Sequence, residues 1–377
     1  MRGPVSGRAG RTSSGPISRA GAYAESYLTE PPLANRVRAR AHSVRGDYRS
    51  RISACYTAGR SRLPTLPAMK PELLVLIPLR DDAQRRIAAS FDVRYAPTPD
   101  ARERAIAEHG ATIRAVLTNG STGLAAAEID RLPALTFVSA LGAGYEHIDV
   151  AHAKARGIAV VTGAGTNDDC VADHAFALLL AAVRNVVRLD AATRAGVWRD
   201  ALPMPPNVSG KKLGIVGLGK IGEKCARRAA GFDIEIGYHN RSARNVPYRY
   251  FERLDALAQW ADFLIVATPG GADTRHLIDR TVLDALGAGG FVVNVSRGSV
   301  VDTAALADAL RERRIAGAAL DVYEGEPAPP HALTALDNVV LTPHLGGWSP
   351  EALDRSVQQF LDNAARHFAG QPVLTPL

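Results

Sequence analysis

The chain has 377 residues, 46% of them hydrophobic and 22% charged, with a formal net charge of +7. That is enough for one large domain or two ordinary ones, and it excludes a disordered or collagen-like polymer. No window approaches the roughly 18 consecutive apolar residues of a membrane helix, and the N-terminus is Arg-rich with no apolar core, so neither a span nor a secretory signal is expected.

The charge is unevenly placed. Residues 1–68 carry twelve Arg and no Lys against Glu25, Glu30 and Asp47, a local net of +9, which leaves −2 for residues 69–377. Rich in Ser, Gly and Pro and without a period of 3.6 or 2, residues 1–68 read as a basic disordered extension. A nucleic-acid-binding tail would need a recognition module, and none follows. An organelle transit peptide fits the composition but lacks an amphipathic stripe. The favoured reading makes Met69, which opens Met-Lys-Pro-Glu ahead of an apolar run, the natural start.

From Leu73 onward short apolar runs alternate with helical patterns, the signature of an α/β fold with parallel sheets. Strands are expected at Leu73–Ile77, Arg114–Thr118, Phe137–Ala140 and Ala159–Val161. A long apolar helix at about Val171–Leu189 follows, then a proline-rich turn region at Trp198–Val208. A second series runs through Leu213–Gly217, Ile234–Tyr238, Phe263–Ala267, Phe291–Val295, Ala318–Asp321 and Val339–Leu341. A last helix, Pro350–Phe368, closes the chain. Cys55, Cys170 and Cys225 are too few and too scattered for a disulfide framework or a zinc site, and they fit a reducing, cytoplasmic setting.

Gly217-Leu218-Gly219-Lys220-Ile221-Gly222 is the most informative motif. Alone it is weak, but the buried strand Lys212–Val216 enters it and a helical pattern, Glu223–Ala230, leaves it. In that context the first glycine permits a tight turn, the second admits a pyrophosphate to the backbone, and the third lets helix pack on strand. Dinucleotide binding is the expectation. The strand Ile234–Tyr238 then runs into His239-Asn240-Arg241-Ser242, with no carboxylate at its tip to accept a ribose 2′-hydroxyl. Arg241 there suits a 2′-phosphate, so NADP(H) is expected over NAD(H); a solvated loop arginine is the plainer alternative.

Four ordered segments resemble the signature blocks of the D-isomer-specific 2-hydroxyacid dehydrogenases. They are Lys211–Gly222, then Asn294-Val295-Ser296-Arg297-Gly298-Ser299-Val300-Val301-Asp302, then Leu320-Asp321-Val322-Tyr323-Glu324-Gly325-Glu326-Pro327, then Thr342-Pro343-His344-Leu345-Gly346-Gly347. The likeness spans essentially all of residues 69–377 and is nearest to the NADPH-dependent glyoxylate, hydroxypyruvate and hydroxyphenylpyruvate reductases. It implies two Rossmann-like doubly wound domains, a dinucleotide domain (169–349) being inserted into a discontinuous substrate domain (69–168 and 350–377). It implies Arg297, Glu326 and His344 as the catalytic set. Cofactor contacts would extend to Thr268, Pro269, Thr274, Val295, Asp321 and Gly346, although Pro269–Thr274 is more glycine-rich than the usual run. Substrate contacts would come from Asn119 and Gly120 and from Leu141, Gly142, Ala143 and Gly144, with Leu141 or Ala143 shaping room for the 2-substituent. Relatives are commonly homodimers through the dinucleotide domain.

The chemistry asks for the same three side chains. Reducing a 2-keto acid needs a hydride at the ketone carbon, a proton for the developing alkoxide, and a cation on the carboxylate and carbonyl. An arginine fork suits the last task. Histidine suits the proton, and a carboxylate behind it favours its charged, donating form. Arg297 supplies the electrophile, so no metal is expected, and neither nucleic acid nor a membrane is an expected partner. Singly, each residue could be a surface charge or a packed turn residue; jointly, in four ordered blocks, they point to turnover. His147 and His174 are not assigned to catalysis. D-lactate, 2-ketogluconate or phosphoglycerate activity is the runner-up, and a non-catalytic dinucleotide-sensing corepressor is the alternative of another class.

Overall fold

The computed structural model describes residues 70–377, so the readings made on residues 1–68, on Met69 and on Cys55 lie outside the described residues. Strands β1 (Glu72–Val75), β2 (Asp92–Tyr95), β3 (Ala115–Thr118), β4 (Phe137–Ala140) and β5 (Ala159–Thr162) form one sheet in the order β2-β1-β3-β4-β5. A second sheet is built from β6 (Lys212–Val216), β7 (Glu235–His239), β8 (Arg249–Tyr250), β9 (Phe263–Val266), β10 (Phe291–Asn294), β11 (Gly317–Leu320) and β12 (Val339–Leu341), in the order β12-β11-β10-β9-β6-β7-β8. Every strand pair is parallel. These are the two common doubly wound orders, each with a switch point where the strand order reverses.

Helices cover both faces of each sheet, so the central strands are apolar along their whole length. In β1, Leu73 and Val75 point into one core and Leu74 into the other, as the two-residue side-chain period requires. In the second sheet Leu213, Ile215, Phe263 and Ile265 face the helix Asp168–Val183, while Leu264 and Val266 face the opposite core.

The last helix, Pro350–Phe368, returns to the first sheet. Its Val357, Phe360 and Ala364 are buried with Leu73, Val75 and Phe137, and the Phe360 ring stacks on Phe91 at 5.5 Å. The segment after it runs back along β5, where the Thr162 amide donates to the Thr375 carbonyl and the Leu377 amide to that of Val160.

The expected elements differ from the observed ones in three respects. The helix expected over Val171–Leu189 is two helices, Asp168–Val183 and Val186–Arg194, broken where Asn185 takes φ 54°. The helix expected over Glu223–Ala230 begins earlier and spans Lys220–Ala229, so its first turn lies inside the glycine motif. Strands β2 and β8 had no expectation. Both lie at sheet edges, where side chains face solvent and the apolar run that marks a buried strand is not needed. Several strand ends shift by one or two residues. Among the described residues no single helix is long and apolar enough to cross a membrane.

Candidate active site

Strand β6 lies between β7 and β9, and β9 follows β8 in the chain, so the second sheet reverses direction of build-up between β6 and β9. Ligands of such sheets bind beyond the carboxyl ends of the strands at this point, where the glycine motif stands. Gly217 has φ 95°, and a Cβ there would lie 2.7 Å from the Thr268 amide nitrogen. At Gly222 a Cβ would press on the Gly217 carbonyl, whereas at Gly219 it would meet nothing within 4 Å. Two glycines are thus demanded by packing and one leaves the backbone open beside the N-terminus of the helix Lys220–Ala229. That arrangement fits a pyrophosphate, which helix-end amides and the helix dipole attract.

The side chains around this turn divide by function. Leu218 is fully buried and Ile221 packs on the core below, so these positions offer only backbone to a ligand. Asn240 accepts the Leu218 amide at 2.7 Å. Arg244 bonds to the Leu218 carbonyl and, at 2.6 Å, to Glu223. Both brace the turn from behind. Arg241 and Ser242 are exposed, and Arg241 has no ion-pair or hydrogen-bond partner among the described residues. In the loop after β9, the Thr274 hydroxyl donates to the Pro269 carbonyl at 2.8 Å and closes the loop on itself. Val295 is buried beneath the site.

Arg297 is placed by a folded turn after β10. Buried Asn294 accepts the Ser296 amide at 3.0 Å and donates to the Arg297 carbonyl at 3.0 Å. Gly298 abuts the Tyr323 backbone so closely that any Cβ would overlap it. The guanidinium donates from Nη1 to the Ser296 carbonyl at 2.6 Å and from Nε to Glu146 Oε1 at 2.5 Å. Burial pushes the Glu146 carboxyl up, but the Arg297 charge outweighs it and holds the group below the ordinary carboxylate range.

The two glycine loops of the first sheet close over this pair. A Cβ on Gly144 would lie 2.5 Å from Arg297 Nη2, and one on Gly120 would lie 2.6 Å from Glu146 Oε2. The amides of Gly120, Ala143 and Gly144 donate to no acceptor among the described residues. Leu141 is half-buried and packs against the core shared with the last helix; its amide continues the β4 ladder to the Thr118 carbonyl and the chain turns at Gly142.

His344 sits in a left-handed turn (φ 54°) held by buried Asp321. Asp321 accepts the Leu345 amide at 2.8 Å, the Gly346 amide at 2.7 Å and the Thr342 hydroxyl at 2.6 Å. His174 Nε2 lies 2.9 Å from that hydroxyl. The Asp321 carboxylate, expected among the cofactor contacts, shapes the loop that carries His344 and Gly346. The Nδ1 of His344 lies 2.6 Å from Glu326 Oε2, and Glu326 Oε1 accepts the Tyr323 amide at 2.6 Å. The Glu326 bond raises the His344 pKa above the ordinary imidazole value, outweighing burial and the Arg297 charge, which lower it. For Glu326, burial acts upward, and the bonds from His344 and the Tyr323 amide hold it below the usual range. Burial and the Asp321 charge push the Tyr323 phenol up to about 12, so it serves as a neutral donor to the Thr342 carbonyl.

Arg297, Glu326 and His344, dispersed in sequence, therefore meet at the carboxyl ends of β10, β11 and β12, facing Gly120 and Gly144 across the cleft. Sequence reasoning missed Glu146, Tyr323 and the bracing role of Asp321 and His174. Only Glu146 had a signal, a carboxylate two residues after Gly144 in the glycine turn. Among the described residues no group of three or more His, Cys, Asp or Glu could hold a metal ion.

Comparison with known proteins places the chain in a family. Residues 176–346 match the D-isomer specific 2-hydroxyacid dehydrogenase, NAD binding domain family. The chain is 39% identical over 311 residues to 2-ketogluconate reductase of Gluconobacter oxydans (strain 621H), covering 82% of this chain and 99% of that protein. It is 38% identical over 307 residues to glyoxylate/hydroxypyruvate reductase A of Arabidopsis thaliana, covering 81% and 98%. Among solved structures, NADPH-dependent glyoxylate/hydroxypyruvate reductase from Sinorhizobium meliloti, in complex with NADP and malonate, superposes with a TM-score of 0.73 at 34% identity, covering 82% of this chain and 97% of that one.

Proposed function

The chain belongs to the D-isomer-specific 2-hydroxyacid dehydrogenases, NAD(P)-dependent oxidoreductases, and on that premise we propose that it is an NADPH-preferring reductase of small 2-keto acids such as glyoxylate and hydroxypyruvate. The observation that carries the reading is the convergence of one guanidinium, Arg297, with a histidine–carboxylate pair, His344 and Glu326, in one cleft.

When bound, the reduced dinucleotide supplies the hydride. The open face at Gly219 and the N-terminus of Lys220–Ala229 would hold its pyrophosphate, and Arg241 with Ser242 would hold the 2′-phosphate. Arg297 binds the substrate carboxylate and polarises the ketone, with the amides of Gly120, Ala143 and Gly144 as further donors. His344 gives its Nε2 proton to the developing alkoxide. Glu326, on Nδ1, fixes the ring and stabilises its charged form. Each cation of the site is paired with a carboxylate, Arg297 with Glu146 and His344 with Glu326, and it is Arg297 and His344 that face the anionic substrate, whose oxygen gains negative charge.

The division into a substrate domain (69–168 and 350–377) and a dinucleotide domain (169–349) is part of the same reading, supported by the return of the last helix to the first sheet. So is a cytoplasmic homodimer, supported by the free thiols Cys170 and Cys225 and by the exposure of Val186, Val187, Trp198 and Met204.

The test follows NADPH absorbance with glyoxylate, hydroxypyruvate, pyruvate, hydroxyphenylpyruvate and 2-ketogluconate. Efficient turnover of the two small acids is expected. Preference for 2-ketogluconate would move the assignment to the sugar-acid branch, which the Gluconobacter relative favours. No turnover together with tight dinucleotide binding would replace the reductase by a sensor.

A further inference from the structure

We propose that Glu146 is a built-in stand-in for the substrate carboxylate, a latch that sits on Arg297 beneath the Gly120 and Gly144 loops and must leave when a 2-keto acid binds. The inference rests on the reading of Arg297 as the substrate-binding cation. Three observations carry it. First, the Glu146 carboxylate already occupies the position expected of a bound carboxylate: Oε1 accepts Arg297 Nε at 2.5 Å, and Oε2 lies against Gly120 and Gly144, at 2.6 Å and 2.8 Å from where their Cβ atoms would be. Second, the side-on face of the guanidinium is already in use: Glu146 holds Nε, while Nη2 donates to no acceptor among the described residues. Nη1 is engaged by the Ser296 carbonyl at 2.6 Å, so a carboxylate that takes the fork side-on, through Nε and Nη2, must displace Glu146 from Nε. Third, the latch can move. The side chains of Arg297 and Glu146 are 32% and 38% exposed, and Glu146 follows Tyr145 on the exposed side of the Gly142 turn, so its carboxylate can swing to solvent without unpacking a core. Because the Arg297 charge keeps Glu146 ionised, the latch stays engaged across the neutral range.

The consequence is a lowered apparent affinity for every 2-keto acid, by the fraction of molecules in which Arg297 is free. For a partly exposed ion pair this amounts to about two- to sixfold. A substrate bearing a second carboxylate suffers more, since the displaced Glu146 stays at the mouth of the cleft and repels it.

The test compares wild type with Glu146→Gln and Glu146→Ala, as the full chain saturated with NADPH. Affinity for oxamate, an unreactive analogue of a 2-keto acid, is read by calorimetry, and KM and kcat are read with glyoxylate. The latch predicts that oxamate Kd and glyoxylate KM fall together by about two- to sixfold in both variants, without a parallel rise in kcat. In an Arg297→Ala background the Glu146 substitutions then have no effect on oxamate. Unchanged or weakened oxamate binding would overturn the proposal and make Glu146 a support that orients Arg297. An effect that persists without Arg297 would overturn it too, as general repulsion. Failure of the wild type to reduce any keto acid would sink the reductase reading, while the oxamate ratios would still judge the latch; absence of oxamate binding in all three proteins would sink the latch itself.

Discussion

Replacing Glu326 by Gln isolates what the carboxylate does for His344. The amide keeps the side-chain volume and an oxygen for the Tyr323 amide, but it removes the charge from behind Nδ1. A charge-assisted hydrogen bond contributes about 1.5–3 kcal/mol. The His344 side chain is 43% exposed and that of Glu326 28%, so solvent screening reduces the usable part to about 1–1.5 kcal/mol. In the transition state that is roughly tenfold in kcat at neutral pH. The pH dependence has a definite sign. His344 is raised above the ordinary imidazole value, so its donating cation is present below its pKa and lost as pH rises through it. Without Glu326 that loss comes at lower pH, and the deficit of the variant widens toward the alkaline side. The assay is the initial rate of NADPH oxidation at saturating glyoxylate from about pH 6 to about pH 9, the span in which such a histidine titrates. A uniform loss across that span, or an alkaline limb that does not move, would refute the pairing as the source of the proton.

Three further outcomes follow from the same geometry. His344→Ala lowers kcat by about 10²–10⁴-fold while NADPH affinity, measured by fluorescence, changes little; a variant near wild-type kcat removes His344 from the donor role. Arg241→Ala lowers the ratio of kcat/KM with NADPH to that with NADH by roughly tenfold, and a wild type that prefers NADH already refutes the 2′-phosphate argument. Gly298→Ala drives a methyl into the Tyr323 backbone and destabilises by at least the roughly 1–3 kcal/mol typical of overpacking; an unchanged Tm would show that the two loops do not meet as described.

The sheets were legible because strands covered on both faces must be apolar throughout, and β3, β4, β9 and β10 are buried at every position. The dinucleotide turn was legible because its requirements are local: a strand, two glycines needed for packing, and a helix start. Edge strands such as β8, with Arg249 exposed, carry no such constraint. The break at Asn185 was equally hidden, since the residues on both sides continue a helical pattern.

The residue types of the site, Arg297, Glu326 and His344, were determined by the chain itself, since reduction of a keto acid demands a fork, a proton donor and a carboxylate, and short motifs at strand ends present them. What each one touches was decided only by the tertiary structure. Glu146 and Arg297 are 151 residues apart, Gly298 is shaped by the backbone of Tyr323, and Asp321 turns inward to hold the His344 loop. The physical reason is that such partners depend on which loops two separate sheets bring face to face, a relation that leaves no period or spacing in the chain, whereas backbone packing and reaction chemistry act on a few neighbouring residues at a time.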